Sequence, residues 1–291
     1  MILKQYRCVC SETKAKVCIR RETQLEAVPN SRYLPPMPVS LSVVIITYNE
    51  ERNIGRCLDA LGDIADEVVV VDSFSTDETV GICESRHVRV VQQAFAGYVE
   101  QKNFATAQAR HDHVLQLDAD EVLTEELRQS IREAKQNWQG AGYTLARLTN
   151  YCGTWVRHGG WYPDRKLRLY DRRLGRWTGL LLHERYEVAG GQNVGTLSGD
   201  LLHYSYDSVA QHITQLNHFT SIAAEELALR GRGNATFFHL LLQPVWKFVH
   251  GYFLRLGFLD GFAGLCIASI SAGGVFLKYA KLRTQSIPPA T

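Results

Sequence analysis

The chain has 291 residues, of which 45% are hydrophobic, and a formal net charge of +2 at pH 7. This length can bury one substantial core and carry an additional segment, and the near balance of charge gives no reason to expect a nucleic-acid partner. Seven cysteines occur without paired C-x-x-C spacing, so we expect neither a disulfide framework nor a zinc site and infer a reducing cytoplasmic environment. No charged start followed by an apolar stretch is found near Met1, and a secretory signal is therefore not expected.

Residues 1–38 differ in composition from the rest of the chain. They mix charged residues, three cysteines and a proline-rich segment at residues 33–38, without sustained periodicity. This pattern predicts a disordered leader. Met37 is the only methionine besides Met1 and directly precedes the first strong strand pattern, so we consider it a candidate for the true start of the protein, with the leader the product of a misassigned start codon.

From Leu41 the pattern alternates between strands and helices. The β-branched run at residues 41–47 predicts a buried strand, and apolar residues at helical spacing predict a helix over residues 54–64. Residues 68–71 predict a second strand that ends at Asp72. Residues 75–78 read Ser-Thr-Asp-Glu, the form of a capping box, and predict the start of a second helix whose free amides suit an anion.

Two further strand and helix pairs follow. Residues 88–91 and 114–117 predict the third and fourth strands, with a helix over residues 99–110 between them. Thr124 is expected to cap a helix whose Leu127, Ile131 and Ala134 share one face. Repeated strand and helix units predict an α/β fold with a mostly parallel sheet, helices on both faces, and a ligand site at the carboxyl ends of the strands.

Three acids, Asp118, Asp120 and Glu121, lie where the fourth strand is expected to end. Because strand side chains alternate, Asp118 and Asp120 are expected to point the same way and to hold a divalent cation, Mg²⁺ or Mn²⁺, whose other ligands are phosphates. The alternative is an acid-rich turn before a helix. The carboxyl-end rule favours the cation site, because it brings Asp72 and the Tyr48-Asn49-Glu50 turn to the same crevice.

Two other nucleotide-binding classes are excluded by their motifs. No G-x-G-x-x-G follows the first predicted strand, and no G-x-x-x-x-G-K-[ST] occurs in the chain. Neither a dinucleotide-dependent dehydrogenase nor a P-loop enzyme is therefore expected.

The motifs at the strand ends resemble, in order and spacing, those of the family-two glycosyltransferases with a GT-A nucleotide-sugar-binding fold. The segments that carry the resemblance are residues 42–51, 70–77, 101–103 and 117–120. Residues 158–170, 179–184 and 276–282 look like the bacterial lipopolysaccharide-core glucosyltransferases of the WaaE type. The resemblance implies inverting transfer of glucose from UDP-glucose to a heptose of the inner core, by a GT-A catalytic domain over residues 39–204 followed by a helical region over residues 205–291.

The resemblance also implies roles for individual residues. Nucleotide-sugar binding is implied for Thr47, Tyr48, Asn49, Glu50, Asp72, Lys102, Asp118 and Arg168. Asp72 would accept a hydrogen bond from the uracil ring, Lys102 would face the diphosphate, and Asp120 would ligate the cation, with Asp118 at the ribose or the cation. The alternatives are a turn-capping role for Asp72 and a solvated helix charge for Lys102. Either Arg165 or Arg168 is expected to help neutralise the departing diphosphate.

An inverting transfer also needs a base that takes the acceptor proton. The Glu-Asp pair that most commonly supplies it in this family is absent, which leaves Glu184 and Asp164 as candidates. Glu184 is favoured because it follows an apolar run and should be fixed by the sheet, whereas Asp164 follows two glycines and a proline in a segment expected to move. His183 is either a third cation ligand, a phosphate contact or a core histidine.

Aromatic residues and the C-terminal region complete the expectations. Trp161 and Tyr162 are expected to contact the acceptor sugar, with core packing as the alternative. Residues 261–277 are apolar but short and interrupted by glycines, which favours a core helix or an interfacial hairpin over a membrane span. Basic residues flank this segment and are expected to contact anionic head groups: Arg230, Arg232, Lys278, Lys281 and Arg283.

We therefore predict a cytoplasmic enzyme that is peripherally associated with the inner membrane and uses a lipid-linked core oligosaccharide as acceptor. Two alternatives remain open from the sequence. One is a glycosyltransferase that acts on a polyprenyl-phosphate or protein acceptor, because donor motifs are shared while acceptor sites are not. The other is a nucleotide-sugar-binding protein without catalytic activity.

Overall fold

The structure is a computed structural model that describes residues 38–179, 184–230 and 236–285. The predicted leader, the alternative start at Met37 and the proposed role of His183 lie outside the described residues.

One large mixed sheet organises the described chain. Its strands are β1 (Leu41–Thr47), β2 (Glu67–Asp72), β3 (Arg89–Gln92), β4 (His113–Asp118), β5 (Glu121–Leu123), β6 (Gly142–Tyr151), β7 (Thr154–Val156), β8 (Asp164–Asp171) and β11 (Val194–Tyr206). The order is β3-β2-β1-β4-β8-β6-β11-β5, with β7 paired to β6. β9 (Gly175–Thr178) and β10 (Arg185–Val188) form a separate antiparallel pair.

The half of the sheet predicted from the sequence is parallel. β1 pairs in parallel with both β2 and β4, and β2 pairs in parallel with β3. β8 runs antiparallel to β4 and β6, and β11 is parallel to β6. The predicted α/β class with a mostly parallel sheet is therefore confirmed.

Helices cover the sheet on both faces. They are α1 (Ile54–Asp59), α2 (Thr79–Ser85), α3 (Tyr98–Gln108), α4 (Glu125–Gln136), α5 (Val209–Leu229), α6 (Gln243–Val249) and α7 (Gly261–Gln285). The alternation of side chains along β1 shows how the two layers form. Val43 and Ile45 enter the core cluster that contains residues of α1, α2 and α4, whereas Val44 and Ile46 enter the cluster that contains Ala105 of α3.

Two helix starts test the capping predictions. Thr124 caps α4 as predicted, because its side chain accepts a hydrogen bond from the N–H of Leu127. The capping box at residues 75–78 is wrong, since α2 begins only at Thr79. The Ser75 hydroxyl instead binds the Asp72 carboxylate at the end of β2, so the strand-end acid takes the group that the capping box would have used.

The C-terminal part of the described chain is helical, as predicted. Two π-helical turns, Phe238–Leu242 and His250–Leu254, flank α6, and a short 3₁₀ turn, Gly257–Asp260, leads into α7. The helical stretch Gly257–Thr284 is long and apolar enough, by length and composition, to cross a membrane. Only 28% of its most apolar window is buried in the protein, so this helix is suited to membrane association and is not enclosed in a core.

Candidate active site

A cleft of about 1340 Å³ opens where β1 and β4 end. Thr47 at the end of β1, Asp118 at the end of β4 and Arg168 of β8 all line it. Because β1 and β4 are parallel neighbours, their carboxyl ends meet at one edge of the sheet. The position expected from the carboxyl-end rule is therefore the position of this cleft.

A charged cluster forms one wall of this cleft. The Nζ of Lys102 lies 3.1 Å from Oε1 of Glu184 and 3.5 Å from Oδ1 of Asp118. Nη2 of Arg168 donates to Oδ2 of Asp118 at 2.7 Å and to Oε1 of Glu121 at 3.0 Å. Lys102 is only 2% exposed, so the alternative of a solvated helix charge does not describe it.

Opposite charges keep this cluster ionised despite its burial. Burial raises the pKa of Asp118, but Arg168 and Lys102 outweigh burial and hold the pKa well below its ordinary value. Burial lowers the pKa of Arg168, and the carboxylates of Asp118 and Glu121 outweigh it, so the guanidinium stays charged. Nε and Nη1 of Arg168 and Oδ1 of Asp118 are buried without a hydrogen-bond partner, which leaves these polar atoms available to a ligand.

The Gln101-Lys102-Asn103 motif supports the cluster from three directions. Gln101 donates to the hydroxyl of Ser73 at 3.1 Å. The side chain of Asn103 holds the backbone of Trp177 through two hydrogen bonds, of 2.9 and 3.0 Å. The Trp177 ring then lies 4.9 Å from Nζ of Lys102, a distance at which the ring face attracts the ammonium group.

A second pair lies at the turn after β4. Oδ2 of Asp120 is 3.1 Å from Nε2 of His203, a residue of β11, and both residues line the cleft. Sequence reasoning missed His203, because it lies more than 80 residues from Asp120 along the chain, in a strand of mixed polar and apolar residues. Only the register of β11, which pairs His203 with Glu121 of β5, brings it to the acid turn.

Asp118, Asp120 and His203 are the residues of the cleft that could bind a cation. Among the residues that the structure describes, no group of three or more His, Cys, Asp or Glu side chains has metal-ligand geometry. Asp120 and His203 nevertheless place one carboxylate and one imidazole in contact with each other. Asp118 lines the same cleft, and its Oδ1 has no hydrogen-bond partner. This donor set fits a Mg²⁺ or Mn²⁺ ion whose remaining ligands are diphosphate oxygens and water.

Two interlocked turns form the opposite end of the cleft. The N–H of Asn49 donates to the Ser75 hydroxyl, and the N–H of Thr76 donates to Oδ1 of Asn49, both at 2.8 Å. Asp72 is fully buried and accepts from the N–H of Ser75 at 3.0 Å, so in this structure it shapes the turn. The uracil contact implied for Asp72 stays a prediction.

The side chains beside these turns face the cleft. Tyr48 is 58% exposed, and the hydroxyl of Thr47 is buried without a hydrogen-bond partner. Glu50 is largely buried, and its burial raises its pKa to about 7; the hydrogen bond from Asn53 opposes this rise, and the charge of Asp120 adds to it. Glu50 therefore titrates near neutral pH.

The two candidate bases differ in their partners. Asp164 accepts from Arg147 at 2.6 Å and lies 3.1 Å from Nζ of Lys166. Burial raises the pKa of Asp164, but these two cations outweigh it and hold the pKa below its ordinary value. Glu184 lines the same cleft and contacts one cation, Lys102.

The expectation that Asp164 lies in a moving loop is wrong. Asp164 is the first residue of β8 and pairs in register with Arg147 of β6. The expectation that the sheet fixes Glu184 is also wrong, because Glu184 precedes β10 and lies in no strand. Position in the sheet therefore favours Asp164, not Glu184. The difference in charge environment remains, and it favours Glu184 as the acid with fewer cations to displace.

The two aromatic residues predicted for the acceptor face different surroundings. Trp161 lines the cleft, near Tyr206 and Tyr151. The Tyr162 hydroxyl donates instead to Oδ1 of Asp200 at 3.0 Å. Of the two arginines considered for the diphosphate, Arg168 is buried in the charged cluster and Arg165 is exposed on the rim of the cleft.

Glu121 is a site residue to which the sequence assigned no role. It is fully buried, accepts from the N–H of Asp118 at 3.0 Å and pairs with Arg168. It thereby fixes both partners of the central ion pair. The sequence shows Glu121 as the third acid of the Asp-Ala-Asp-Glu run, but it does not show that the side chain is buried.

The sheet order and the charged cleft at the strand ends define a GT-A-like α/β fold. Comparison with known families matches residues 42–195, more than half of the chain, to the family described as Glycosyl transferase family 2. The chain therefore belongs to glycosyl transferase family 2, and the predicted resemblance is confirmed.

Two relatives found by sequence similarity agree with this assignment. An uncharacterized glycosyltransferase of Rickettsia typhi is 32% identical over 257 residues, which cover 85% of this chain and 88% of that protein. The lipopolysaccharide core biosynthesis glycosyltransferase LpsC of Rhizobium meliloti is 29% identical over 267 residues, covering 85% of this chain and 95% of LpsC. The crystal structure of S. aureus TarS 1-349 in complex with UDP has a TM-score of 0.45 and 19% identity, covering 83% of this chain and 91% of that chain.

Proposed function

We propose that this protein is an inverting, cation-dependent hexosyltransferase that moves glucose from UDP-glucose to a heptose of the lipopolysaccharide inner core. The observation that carries the proposal is one cleft in which two buried cations, Lys102 and Arg168, face the Asp120 and His203 pair. Buried positive charge beside a cation site suits a nucleoside diphosphate. The acceptor class is suggested by the relative LpsC, a lipopolysaccharide core biosynthesis glycosyltransferase.

Each wall of the cleft has a role in binding the donor. The exposed Tyr48 ring and the free hydroxyl of Thr47 suit the nucleoside. Nζ of Lys102 and the unpartnered Nε and Nη1 of Arg168 suit the diphosphate, and they neutralise the charge that grows on it as the sugar leaves. Asp120 and His203 would hold the divalent cation, which supplies further neutralisation of the leaving diphosphate when bound.

Glu184 is proposed as the base. Its carboxylate lies on the cleft wall, held in place by Lys102 at 3.1 Å. The same ammonium group lies 3.5 Å from Asp118. A diphosphate bound at Lys102 would compete with both carboxylates for this cation, so donor binding would free Glu184 to accept the proton of the attacking hydroxyl.

The proposed location is the cytoplasmic face of the inner membrane, with peripheral association through the C-terminal helices. Large apolar side chains are exposed there, including Val245 at 62%, Trp246 at 59% and Phe262 at 76%. Exposed apolar clusters of this kind mark surfaces that bind a partner or a membrane. A lipid-linked acceptor would be met at this surface.

A donor screen with purified inner-core acceptor tests the proposed reaction. We expect transfer from UDP-glucose to exceed transfer from other UDP-hexoses at least tenfold, with a product of inverted anomeric configuration. Transfer only to a polyprenyl phosphate or to a protein would contradict the proposed acceptor. Binding of UDP-glucose without transfer to any acceptor would instead support a binding protein.

The cation requirement is tested separately. Asp120→Ala and His203→Ala should each reduce transfer by roughly a hundredfold or more, because each removes one of two protein ligands, and EDTA should abolish transfer by the wild type. His218→Ala, a substitution on α5 outside the cleft, is the control. Full activity of the wild type in EDTA would remove the cation from the proposed reaction.

A further inference from the structure

A second, smaller cavity of about 320 Å³ lies between the loop before β8 and the C-terminal helices. Its walls come from His158 to Trp161 on one side and from α6, the His250–Leu254 turn and α7 on the other. The volume is at the lower end of the range of ligand pockets, about 300–1,000 Å³. None of the proposed donor or cation contacts uses this cavity.

The charges around the cavity are mostly positive. Lys247 and Arg255 both line it, and within the described part of the chain their side chains form no hydrogen bond or ion pair. Asp260 is the one carboxylate on the wall. Both oxygens of this carboxylate already form hydrogen bonds: they accept from the N–H groups of Arg157 and His158, and Oδ1 lies 2.8 Å from Nδ1 of His158.

Lys247 and Arg255, which have no partner among the described residues, outnumber the hydrogen-bonded carboxylate of Asp260 and form an environment for an anion. The hydroxyl-bearing Ser271 and the backbone of Gly251 and Gly264 also border the cavity. A group with several oxygen acceptors, such as a phosphate, matches this set of donors better than a neutral sugar does.

The cavity adjoins both the active-site cleft and the apolar surface. Gly160 and Trp161 line the cavity and the cleft alike. On the other side, Arg255 is flanked by Leu254 and Leu256, which are 59% and 46% exposed. A molecule that reached the cleft from a lipid surface would therefore pass its head group by Lys247 and Arg255.

We propose that this cavity is an anion-binding subsite in which Lys247 and Arg255 hold a phosphate group of the acceptor while its sugar reaches past Trp161 to the transfer site. The assignment of the phosphate to the acceptor rests on the proposed glycosyl transfer. Binding of the phosphate itself does not, because the cavity is separate from the residues proposed to bind the donor. The phosphate belongs either to the glycerophosphate of a lipid or to a phosphorylated sugar.

Two soluble probes distinguish these sources. Monomeric dihexanoyl phosphatidylglycerol represents the lipid head group, and glucose 6-phosphate represents the phosphorylated sugar; each is titrated into the full chain by calorimetry with the donor site saturated by UDP and cation. We expect saturable binding of at least one probe. Binding of the lipid alone assigns the phosphate to a head group, and binding of the sugar phosphate alone assigns it to the saccharide. Saturable binding of neither probe overturns the proposal.

Charge-matched variants place the binding in the cavity. Lys247→Gln with Arg255→Gln should weaken probe binding at least tenfold, whereas Arg52→Gln with Arg110→Gln removes the same charge from exposed positions outside the cavity and should change it less than twofold. Lys247→Arg with Arg255→Lys keeps the charge and should retain most of the binding. Equal weakening by both glutamine pairs would show a general effect of net charge and overturn the subsite.

Donor binding and transfer separate this proposal from the proposed function. The cavity variant should bind UDP as the wild type does, which also shows that it is folded, and should raise the acceptor KM at least tenfold with little change in kcat. If the wild type binds the phosphate probes but transfers no sugar, the subsite stands and the proposed function fails. If transfer occurs and the cavity variant leaves the acceptor KM unchanged, the assignment of the phosphate to the acceptor fails.

Discussion

At the scale of single residues, the site depends on how each charged side chain is paired. Lys102 serves two carboxylates, Asp118 and Glu184, whereas Asp164 is held by two cations. The carboxylates of the site thus differ in the number of cations that a substrate would have to displace from them. Burial alone would raise the pKa of Asp118 and of Asp164, and their cationic partners instead hold both pKa values below the ordinary value.

The choice of base is tested by comparing two isosteric substitutions. Glu184→Gln should lower turnover by roughly a hundredfold to ten-thousandfold while donor affinity stays within a few fold, because a positioned base acts on the chemical step. Asp164→Asn should affect turnover less than tenfold. Turnover and UDP-glucose affinity are measured for both. If Asp164→Asn alone abolishes turnover with donor affinity preserved, the two roles are reversed.

Glu50 gives the site a predicted pH dependence. Its pKa in the folded protein is raised from 4.5 to about 7, so between these values the folded state binds more protons than the unfolded state. Stability contributed at this position is therefore present at low pH and lost as the pH rises through about 7. Glu50→Gln cannot ionise, and its Tm should exceed that of the wild type by a few degrees at pH 8 and match it at pH 4, below the unfolded pKa of 4.5.

These melting curves are recorded in EDTA, because a cation at Asp120 would offset one of the charges that raises this pKa. Glu51→Gln, a substitution of the exposed neighbour, should show no such trend. A Tm difference for Glu50→Gln that is equal at both pH values would contradict the raised pKa.

At the scale of secondary-structure elements, the C-terminal helices meet through close backbone contacts. Gly264 of α7 lies against Gly257 of the preceding 3₁₀ turn, and a Cβ atom at Gly264 would overlap the carbonyl oxygen of Gly257. Nζ of Lys281 joins α7 to α5 through the carbonyl oxygen of Asn217 at 2.6 Å and the hydroxyl groups of Thr220 and Ser221, each at 2.8 Å. The apolar helix is thus fixed to the described protein at both ends.

Two alanine substitutions in α7 should have opposite effects. Gly264→Ala should lower the free energy of unfolding by about 1–3 kcal/mol, because the backbone must move to admit the methyl group. A Cβ atom at Gly273 would meet no other atom within 4 Å, so Gly273→Ala should raise stability by about 0.5–1 kcal/mol through helix propensity. Chemical denaturation measures both. Similar destabilisation by the two variants would contradict the close contact at Gly264.

The connection between distant elements also decides which residues share a site. β11 crosses beside β6 and β5, and this register delivers His203 to the turn that carries Asp120. The separate β9 and β10 pair also brings a distant residue to the site, because the ring of Trp177 in β9 contacts Nζ of Lys102 in α3. Neither contact joins residues that are close in sequence.

At the scale of the whole molecule, exposed apolar side chains are concentrated in the C-terminal helical region. We expect the protein to sediment with vesicles that contain phosphatidylglycerol, and the bound fraction to fall at high salt as the contacts with head groups are screened. Trp246→Ser with Phe262→Ser should reduce the bound fraction several fold, since both side chains are largely exposed.

The matched control is Phe74→Asn. Phe74 is 53% exposed but lies in the turn after β2 and has a positive φ that asparagine tolerates. This variant should bind vesicles as the wild type does. Recovery of the wild type wholly in the supernatant at low salt would contradict membrane association.

The sequence by itself determined the class of the fold and the edge of the sheet at which the site lies. Runs such as Leu41–Thr47 contain four consecutive β-branched apolar residues without polar alternation, as expected for a strand buried on both faces, and the polar residues Asp72 and Asp118 stand where such runs end. These signals are local, and they gave the α/β order, the cap at Thr124 and the family resemblance. The capping box predicted at residues 75–78 was wrong, because the Ser75 hydroxyl donates to the Asp72 carboxylate instead of capping a helix.

Only the tertiary structure decided the pairing of charges. Three ion pairs of the site join residues that are far apart in sequence. Lys102 and Asp118 are 16 positions apart, Arg168 and Asp118 are 50 apart, and His203 and Asp120 are 83 apart. Strand periodicity tells which way a side chain points but not which distant strand lies opposite. That choice is made by sheet order and register, and these depend on the packing of the whole core rather than on any one segment.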